Sequence, residues 1–305
     1  MVLTAELISA CPPALHPALA RHLRGDASSE ITLMHFALQV GDTNALGQLL
    51  EAFIAAAPER RELTDLRRLY AANVEHLTQI TALCNDGLAS LLLSDGDKVA
   101  AIRRQFDRAV ALAPEASVAL YSLGSANILD RATTEIVDRL SEWELLRPDL
   151  TLLDIGCGIG RVERALAPRV KAITAIDVSS GMIAEARRRC RDLLNVTFAQ
   201  CNGRDLAEYQ DGSYDLVLAV DSFPYLFAAN PGIVDQHFRD CARILRPGGS
   251  IAVLNFSYRG NEAADRRDVE RLGRAYGFTV ERAGTRDFTL WDGLTFLLTL
   301  PVHRE

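Results

Sequence analysis

The sequence predicts an α/β fold: a seven-stranded sheet with helices on both faces, preceded by an all-α N-terminal domain. Three observations predict it. The apolar pattern of the first 120 residues repeats at helical spacing and contains no strand-like run. From residue 151 onward, short apolar runs alternate with amphipathic stretches, as parallel strands joined by helices require. The run Leu152-Leu-Asp-Ile-Gly-Cys-Gly-Ile-Gly160 passes from buried strand to glycine loop, and Arg161 opens a helical pattern.

Length and composition set the frame. The chain has 305 residues, enough for two domains, and 49% hydrophobic and 24% charged side chains are ordinary for a globular protein. The expected division is 1–125, helical, and 126–305, carrying the sheet. Net charge is −7, and residues 1–147 hold 19 acidic against 13 basic side chains. An acidic first half argues against a nucleic-acid partner, since phosphate binding needs a basic face. Six cysteines, at 11, 84, 157, 190, 201 and 241, form no CxxC pair and no metal-ligand spacing, so no metal is expected. They read as reduced thiols of a cytoplasmic protein. No apolar run approaches the roughly 18 residues of a membrane span. Ile8-Ser-Ala-Cys11 resembles a lipoprotein box, but no positive charge precedes it and Glu6 stands in the way.

In chain order, Glu30–Leu38 carries a helical stripe with Ser28 or Ser29 as N-cap and Gly41 as stop. Asn44–Ala57 is a second helix, ended by Pro58. A long helix from Glu59 to about Ser94 is expected to break near Gly87. Lys98–Ala113 follows, with Val99, Ile102, Phe106 and Val110 on one face. Val118–Ser125 reads as a hinge, and Leu129–Leu146 as a helix buried through Ile136, Val137, Leu140, Trp143 and Leu146. Strands are expected at 151–155, 171–176, 196–199, 214–220 and 250–256, with a closing pair at 278–283 and 294–300. Helices are expected at 160–167, 180–193, 232–245 and 265–276, and a turn at Pro247-Gly248-Gly249.

The loop carries the chemistry. A dinucleotide fingerprint wants Gly or Ala at its sixth position, where this chain has Arg161. A G-x-G-x-G loop can instead pass close beneath a ligand that has no pyrophosphate. Asp177, 21 residues after Gly156, ends the second strand, where a carboxylate can accept from both hydroxyls of a ribose. It can equally cap the helix that follows. Val178 and Met182 would flank an adenine, though Met182 also suits a core position.

Together, Leu153-Asp-Ile-Gly-Cys-Gly-Ile-Gly160, Ala175-Ile-Asp-Val-Ser-Ser-Gly-Met-Ile183 and Ile244-Leu-Arg-Pro-Gly-Gly249 resemble a class I S-adenosylmethionine-dependent methyltransferase over roughly 126–305. The resemblance implies a Rossmann-like seven-stranded methyltransferase sheet with its last strand antiparallel, and S-adenosyl-L-methionine across the ends of strands one to four. It implies that Asp154 orders the loop from below and that Gly156, Cys157, Gly158 and Gly160 lie under the methionine part and ribose. Asp177 is then the ribose acid. The acid that meets the adenine amino group in the family is replaced by Asn202, with Asp205 as rival and Gly203 offering backbone. Backbone carbonyls near Val220 and Asp221 are placed for the methionine amino group. Tyr121 lies where lead-in segments of the family fold over the cofactor.

Transfer to a hydroxyl or protonated amine needs a base. Asp221 and Tyr225 after strand four are candidates, as is His237 in the helix before strand five; Tyr258 and Arg259 follow strand five. Ser222-Phe-Pro-Tyr225 resembles the N-P-P-Y box of enzymes acting on amide or adenine nitrogens, with two positions changed. The reading is methyl transfer to an oxygen or nitrogen of a small molecule, in the manner of secondary metabolism. The helical half is expected to act as lid, as homodimer surface, or both. The rivals are an enzyme that binds the same cofactor without methyl transfer, separable by cofactor consumption, and a non-catalytic binding protein, which would have no need of intact loop glycines and Asp177. A nicotinamide dehydrogenase is disfavoured by Arg161.

Overall fold

Cap residues and apolar stripes fix the helices along the first part of the chain. The computed structural model describes residues 4–93 and 96–302, with the backbone alone over 82–93. Helices α1 (Ala5–Ala10), α2 (His16–Leu23), α3 (Ser29–Val40), α4 (Thr43–Ala56), α5 (Arg61–Leu93), α6 (Lys98–Leu112), α7 (Pro114–Val118) and α8 (Ala126–Glu142) follow one another. The Ser28 side chain accepts from the Ile31 N–H, and Gly41 at φ 70° closes α3, as the sequence predicts. Contacts divide the described chain into two units. The helical unit takes in Met1–Leu93, Ala109–Ala132 and Thr289–Asp292. Its core gathers Leu7, Leu19, Leu33, Phe36, Leu46, Leu50 and Phe53. The Phe36 and Phe53 rings meet edge to face at 5.9 Å. Each such buried side chain contributes about 1.5–3 kcal/mol.

Three expectations here need correction. The helix α5 runs through Gly87 without a break; one glycine costs only about 1 kcal/mol in a helix this long. Its expected end at Ser94 falls outside the described residues. The stretch expected to hinge at 118–125 is packed: a 3-10 turn over Leu120–Ser122 ends on Leu123 at φ 53°, with Tyr121 and Leu123 buried. The next helix starts at Ala126 and stops at Glu142, so Trp143 and Leu146 lie beyond it.

The second unit takes in Ser94–Arg108, Thr133–Phe288 and Gly293–Glu305. Its strands are β1 (Thr151–Ile155), β2 (Ala172–Asp177), β3 (Val196–Gln200), β4 (Tyr214–Val220), β5 (Leu245–Leu254), β6 (Thr279–Thr285) and β7 (Thr295–Thr299). Helices α9 (Arg161–Leu166), α10 (Ser180–Arg189), α11 (Phe223–Ala229), α12 (Pro231–Ile244) and α13 (Glu262–Ala275) connect them. The seven strands lie in the order β3-β2-β1-β4-β5-β7-β6. The first five are parallel, and β7 runs antiparallel to both neighbours. Alternation along β1 sends Leu153 and Ile155 into a core with Val217, Ile251, Phe223, Phe238 and Phe296. Leu152 and Asp154 face the other way. Strand order reverses between β1 and β4, which opens a crevice at their carboxyl ends.

The sequence reading of this unit misplaces two segments. Pro247-Gly248-Gly249 is not a turn before the fifth strand; β5 already begins at Leu245 and carries these residues. Gly248 at φ 80° and a register shift between Tyr214 and Leu216 mark the irregularity they cause. The stretch after β4, expected as loop, is the helix α11, begun at Ser222 with Pro224 in its first turn. Among the described residues no helix is long and apolar enough to cross a membrane.

Candidate functional site

The loop after β1 is held by its own peptide groups. The N–H groups of Gly156 and Cys157 both donate to the Ile176 carbonyl, at 2.7 and 3.0 Å. The Gly158 N–H donates to Asp177 Oδ2 at 3.0 Å, and the Gly160 N–H to the Cys157 carbonyl at 3.1 Å. Gly156 turns at φ 84°, and a Cβ there would lie 2.4 Å from the Ser222 Cβ. The loop therefore abuts the start of α11, and only glycine allows it. The Ser222 hydroxyl beside it is buried and meets no partner among the described residues.

Asp177 ends β2 with 9% of its surface exposed. Its Oδ2 accepts from Gly158 and its Oδ1 from the Ser179 N–H at 2.8 Å. Burial pushes its carboxyl up to about 6, against these two N–H groups. Each oxygen keeps a further lone pair for a ligand hydroxyl.

One turn of α6 is stitched onto the same edge. Asp107 Oδ1 accepts from the Ser179 hydroxyl at 2.6 Å and the Gly181 N–H at 2.9 Å, satisfying the open N-terminus of α10. Asp97 pairs with Arg204 at 2.7 Å. Gly203 is hemmed in, because a Cβ there would stand 2.4 Å from Val178 Cγ1 and 3.1 Å from Val99 Cγ1.

A second cluster forms where β4 and β5 end. Asp221 Oδ1 accepts from Asn255 Nδ2 at 2.8 Å, and Oδ2 from the Tyr258 hydroxyl at 2.6 Å. The Tyr225 ring packs edge-on against Tyr258 at 5.7 Å and Phe106 at 4.8 Å. Burial of the hydroxyl, the Asp221 charge and Tyr225 hold the Tyr258 phenol well above the ordinary tyrosine value. The residue as a whole is 55% exposed, so the Asp221 carboxylate is the secure part of that effect. Such a cluster can orient a carboxylate toward an incoming acceptor.

Comparison with known proteins identifies the frame. A family profile described as "Methyltransferase domain" matches residues 152–249, from β1 into β5. The demethylmenaquinone methyltransferase of Tropheryma whipplei (strain Twist) is 31% identical over 163 residues, 53% of this chain and 62% of that protein. The 27-O-demethylrifamycin SV methyltransferase of Amycolatopsis mediterranei is 34% identical over 151 residues, 47% and 52% of the two chains.

Over residues 152–249 the chain is similar to methyltransferase domains, and both relatives are methyltransferases by name. The chain spans about three fifths and one half of these two relatives' lengths. The phosphoethanolamine N-methyltransferase 1 of Haemonchus contortus shares the fold, with a TM-score of 0.53 at 17% identity over 68% of this chain and 50% of that one.

In the sheet unit, Asp154, Gly156, Cys157, Gly158, Gly160, Asp177, Val178, Gly203 and Val220 gather at the strand ends of β1 to β4. Met182 is 1% exposed in the first turn of α10. The Asn202 amide oxygen already accepts from the N–H groups of Arg204 and Asp205, at 2.6 and 3.2 Å, and its Nδ2 donates to Asp205 Oδ1 at 3.2 Å. His237 is in the core on α12, where its Nδ1 donates to the Ile233 carbonyl at 2.8 Å and burial lowers its basicity. Tyr121 belongs to the helical unit and lies 6.5 Å from Trp291, ring to ring. Arg259 is bound to Asp265 and Asp268, at 2.6 and 2.7 Å.

The sequence reading missed Asn255, Asp107, Phe106 and Glu163. Asn255 and Asp107 sit in no recognisable spacing. Glu163 left a signal: it falls with Val162 and Leu166 on the buried stripe of α9, a charge where the helical period asks for an apolar residue.

Proposed function

We propose that this protein transfers a methyl group from S-adenosylmethionine to an oxygen or nitrogen of a small molecule, with Asp221 accepting the proton that the nucleophile loses. The residues fit the cofactor. A glycine loop with no room for a Cβ at Gly156, a buried Ser222 hydroxyl in need of a partner, and an acid with spare lone pairs for ribose adjoin one another. In this reading Asp177 holds the ribose, Gly156–Gly160 underlie the ribose and methionine part, and Val178, Met182 and Asn202 border the adenine. Val220 and Asp221 offer backbone carbonyls to the methionine amino group. The cofactor supplies an electrophilic methyl group on a cationic sulfur.

The observation that carries the proposal is the Asp221 carboxylate, fixed between Asn255 and Tyr258 at the carboxyl edge of the sheet. The Asn255 amide and the Tyr258 hydroxyl set its direction, and a carboxylate so held is suited to take a proton from a hydroxyl or amine. Tyr225 and Phe106 supply aromatic surface beside it, suited to exclude water and align a planar acceptor. The Amycolatopsis relative's name, which gives an oxygen as the methylated atom, supports the same chemistry.

The test is calorimetric titration with S-adenosylmethionine and its demethylated product, followed by a labelled-methyl assay against phenols, alcohols and amines. Binding that Asp177→Ala removes, with label transferred to one acceptor class, is the expected outcome. No binding of either ligand sinks the cofactor reading. Binding with turnover of an acceptor but no demethylated cofactor overturns methyl transfer and favours a non-methylating reaction.

A further inference from the structure

Two buried carboxyl groups flank the glycine loop in the chain and interact with one another, Asp154 just before it and Glu163 just after it. Asp154, on β1, is 2% exposed, and Glu163, the third residue of α9, is 1% exposed. Asp154 Oδ1 and both Glu163 oxygens meet no hydrogen-bond donor among the described residues. Leaving three such oxygens buried and unmatched would be costly, and two adjoining carboxylates cannot both ionise away from water. A single proton between them removes both problems. Burial and the neighbouring Asp154 charge raise Glu163 well above the glutamate range. Burial also raises Asp154, opposed by its interaction with Glu163 and by the Arg161 charge. The other titratable groups around them are the Cys157 and Cys190 thiols and the Asp177 carboxyl, none of which supplies a positive charge.

We propose that Glu163 is a positioning residue of the cofactor site: it keeps one proton, shares it with Asp154, and fixes a single negative charge under the loop at Gly156–Gly160. The role in binding rests on the reading of that loop as the cofactor cradle. The ligand carries a sulfonium and an ammonium, so one fixed negative charge in the floor attracts it. An unprotonated pair would repel itself and push the floor apart. Glu163 thus decides both the charge of Asp154 and its direction.

Two measurements test this. The first is thermal unfolding without cofactor, from about pH 5 to pH 9, which spans the range above an ordinary glutamate. The wild-type fold must retain a proton that the unfolded chain releases, so its stability falls as pH rises. The Tm of Glu163→Gln minus that of the wild type therefore climbs by several degrees across the range, while the exposed control Glu281→Gln shows no trend. A flat difference overturns the shared proton. Should Glu163→Gln not fold, Glu163→Ala carries the same series, because it too removes the group that retains the proton.

The second is titration with S-adenosylmethionine at neutral pH. Glu163→Gln, which can still donate to Asp154, binds within about threefold of the wild type. Glu163→Ala, which cannot, binds about tenfold more weakly, the usual cost of a lost hydrogen bond to a charged group. Equal affinity in all three overturns the positioning role. No binding by the wild type overturns the cofactor reading and with it that role, while the unfolding series still decides the proton.

Discussion

Asp221 and Asn255 leave the ends of adjacent parallel strands in the same left-handed backbone conformation, φ 59° and 73°, and are joined side chain to side chain at 2.8 Å. Their N–H groups donate to the Leu254 and Leu294 carbonyls, both at 2.8 Å, so the two strained residues are tied into the sheet. Strain of this kind costs on the order of 1–3 kcal/mol per residue and persists where the surroundings impose it. Here it aims one carboxylate off the edge of the sheet.

Asp221→Asn keeps the shape and removes the proton acceptor. Its kcat should fall about 10²–10⁴-fold, the usual contribution of a general base. Affinity for S-adenosylmethionine should stay within about twofold, since the backbone carbonyl is unchanged. Tyr258→Phe should lower kcat less, because Asn255 still orients the carboxylate. Single-turnover assays with parallel calorimetry check both; a normal kcat in Asp221→Asn removes Asp221 from the chemistry.

Cofactor affinity should depend on pH through Asp177. Its carboxyl titrates at about 6, above the ordinary aspartate value. Affinity should therefore be full above pH 6 and decline as pH falls through that value, where protonation takes an acceptor from the ribose. The stability effect has the opposite sign. A raised carboxyl favours the fold most at low pH, and that contribution is lost as pH rises through about 6. Asp177→Asn should bind weakly at every pH and flatten the profile. Titrations from pH 5 to 8 would show it.

Gly156→Ala should destabilise the protein by roughly 1–3 kcal/mol, from a positive φ and a clash with the Ser222 Cβ. Adding Ser222→Gly relieves the clash but not the backbone strain. The double variant should recover part of the lost stability, and denaturant melts of the four proteins of that cycle measure how much. Simple additivity would mean that the two residues do not touch.

Asp107→Ala removes the acceptor of the Gly181 N–H at the start of α10, while the Ser179 hydroxyl still caps the Met182 N–H. Losing such a hydrogen bond costs about 1 kcal/mol, which lowers Tm by about 2–4 °C. Asp107→Asn, whose amide oxygen still accepts, should lose less. Calorimetric scans without cofactor give the comparison.

Much of the sheet unit was legible in the sequence because its signals are local. An apolar run, a glycine loop and an acid one strand later are set by neighbours in the chain, so β1, the loop and Asp177 could be located directly. The Asp221 cluster was half visible: Asp221 and Tyr225 follow one strand, but Asn255 and Tyr258 come from the next, and their meeting depends on strand order. The Asp107 contact was invisible, since no pattern on α6 says which helix start it will meet. Trp143 and Leu146 show the reverse error: the apolar period continues past Glu142, but the backbone turns to φ 57° at Glu144 and the helix ends.

The loop's peptide groups have a consequence for competition inside a cell. ATP and NAD carry the same adenine and ribose as S-adenosylmethionine and are abundant wherever it is made. A loop that recognises phosphate turns its N–H groups toward the ligand. Here four of them, at 156, 157, 158 and 160, are spent on Ile176, Asp177 and Cys157. A polyphosphate tail in this crevice would bring several negative charges to a floor that already carries carboxylates. Internal bonding of this kind withholds donors from a phosphate-bearing adenosine compound.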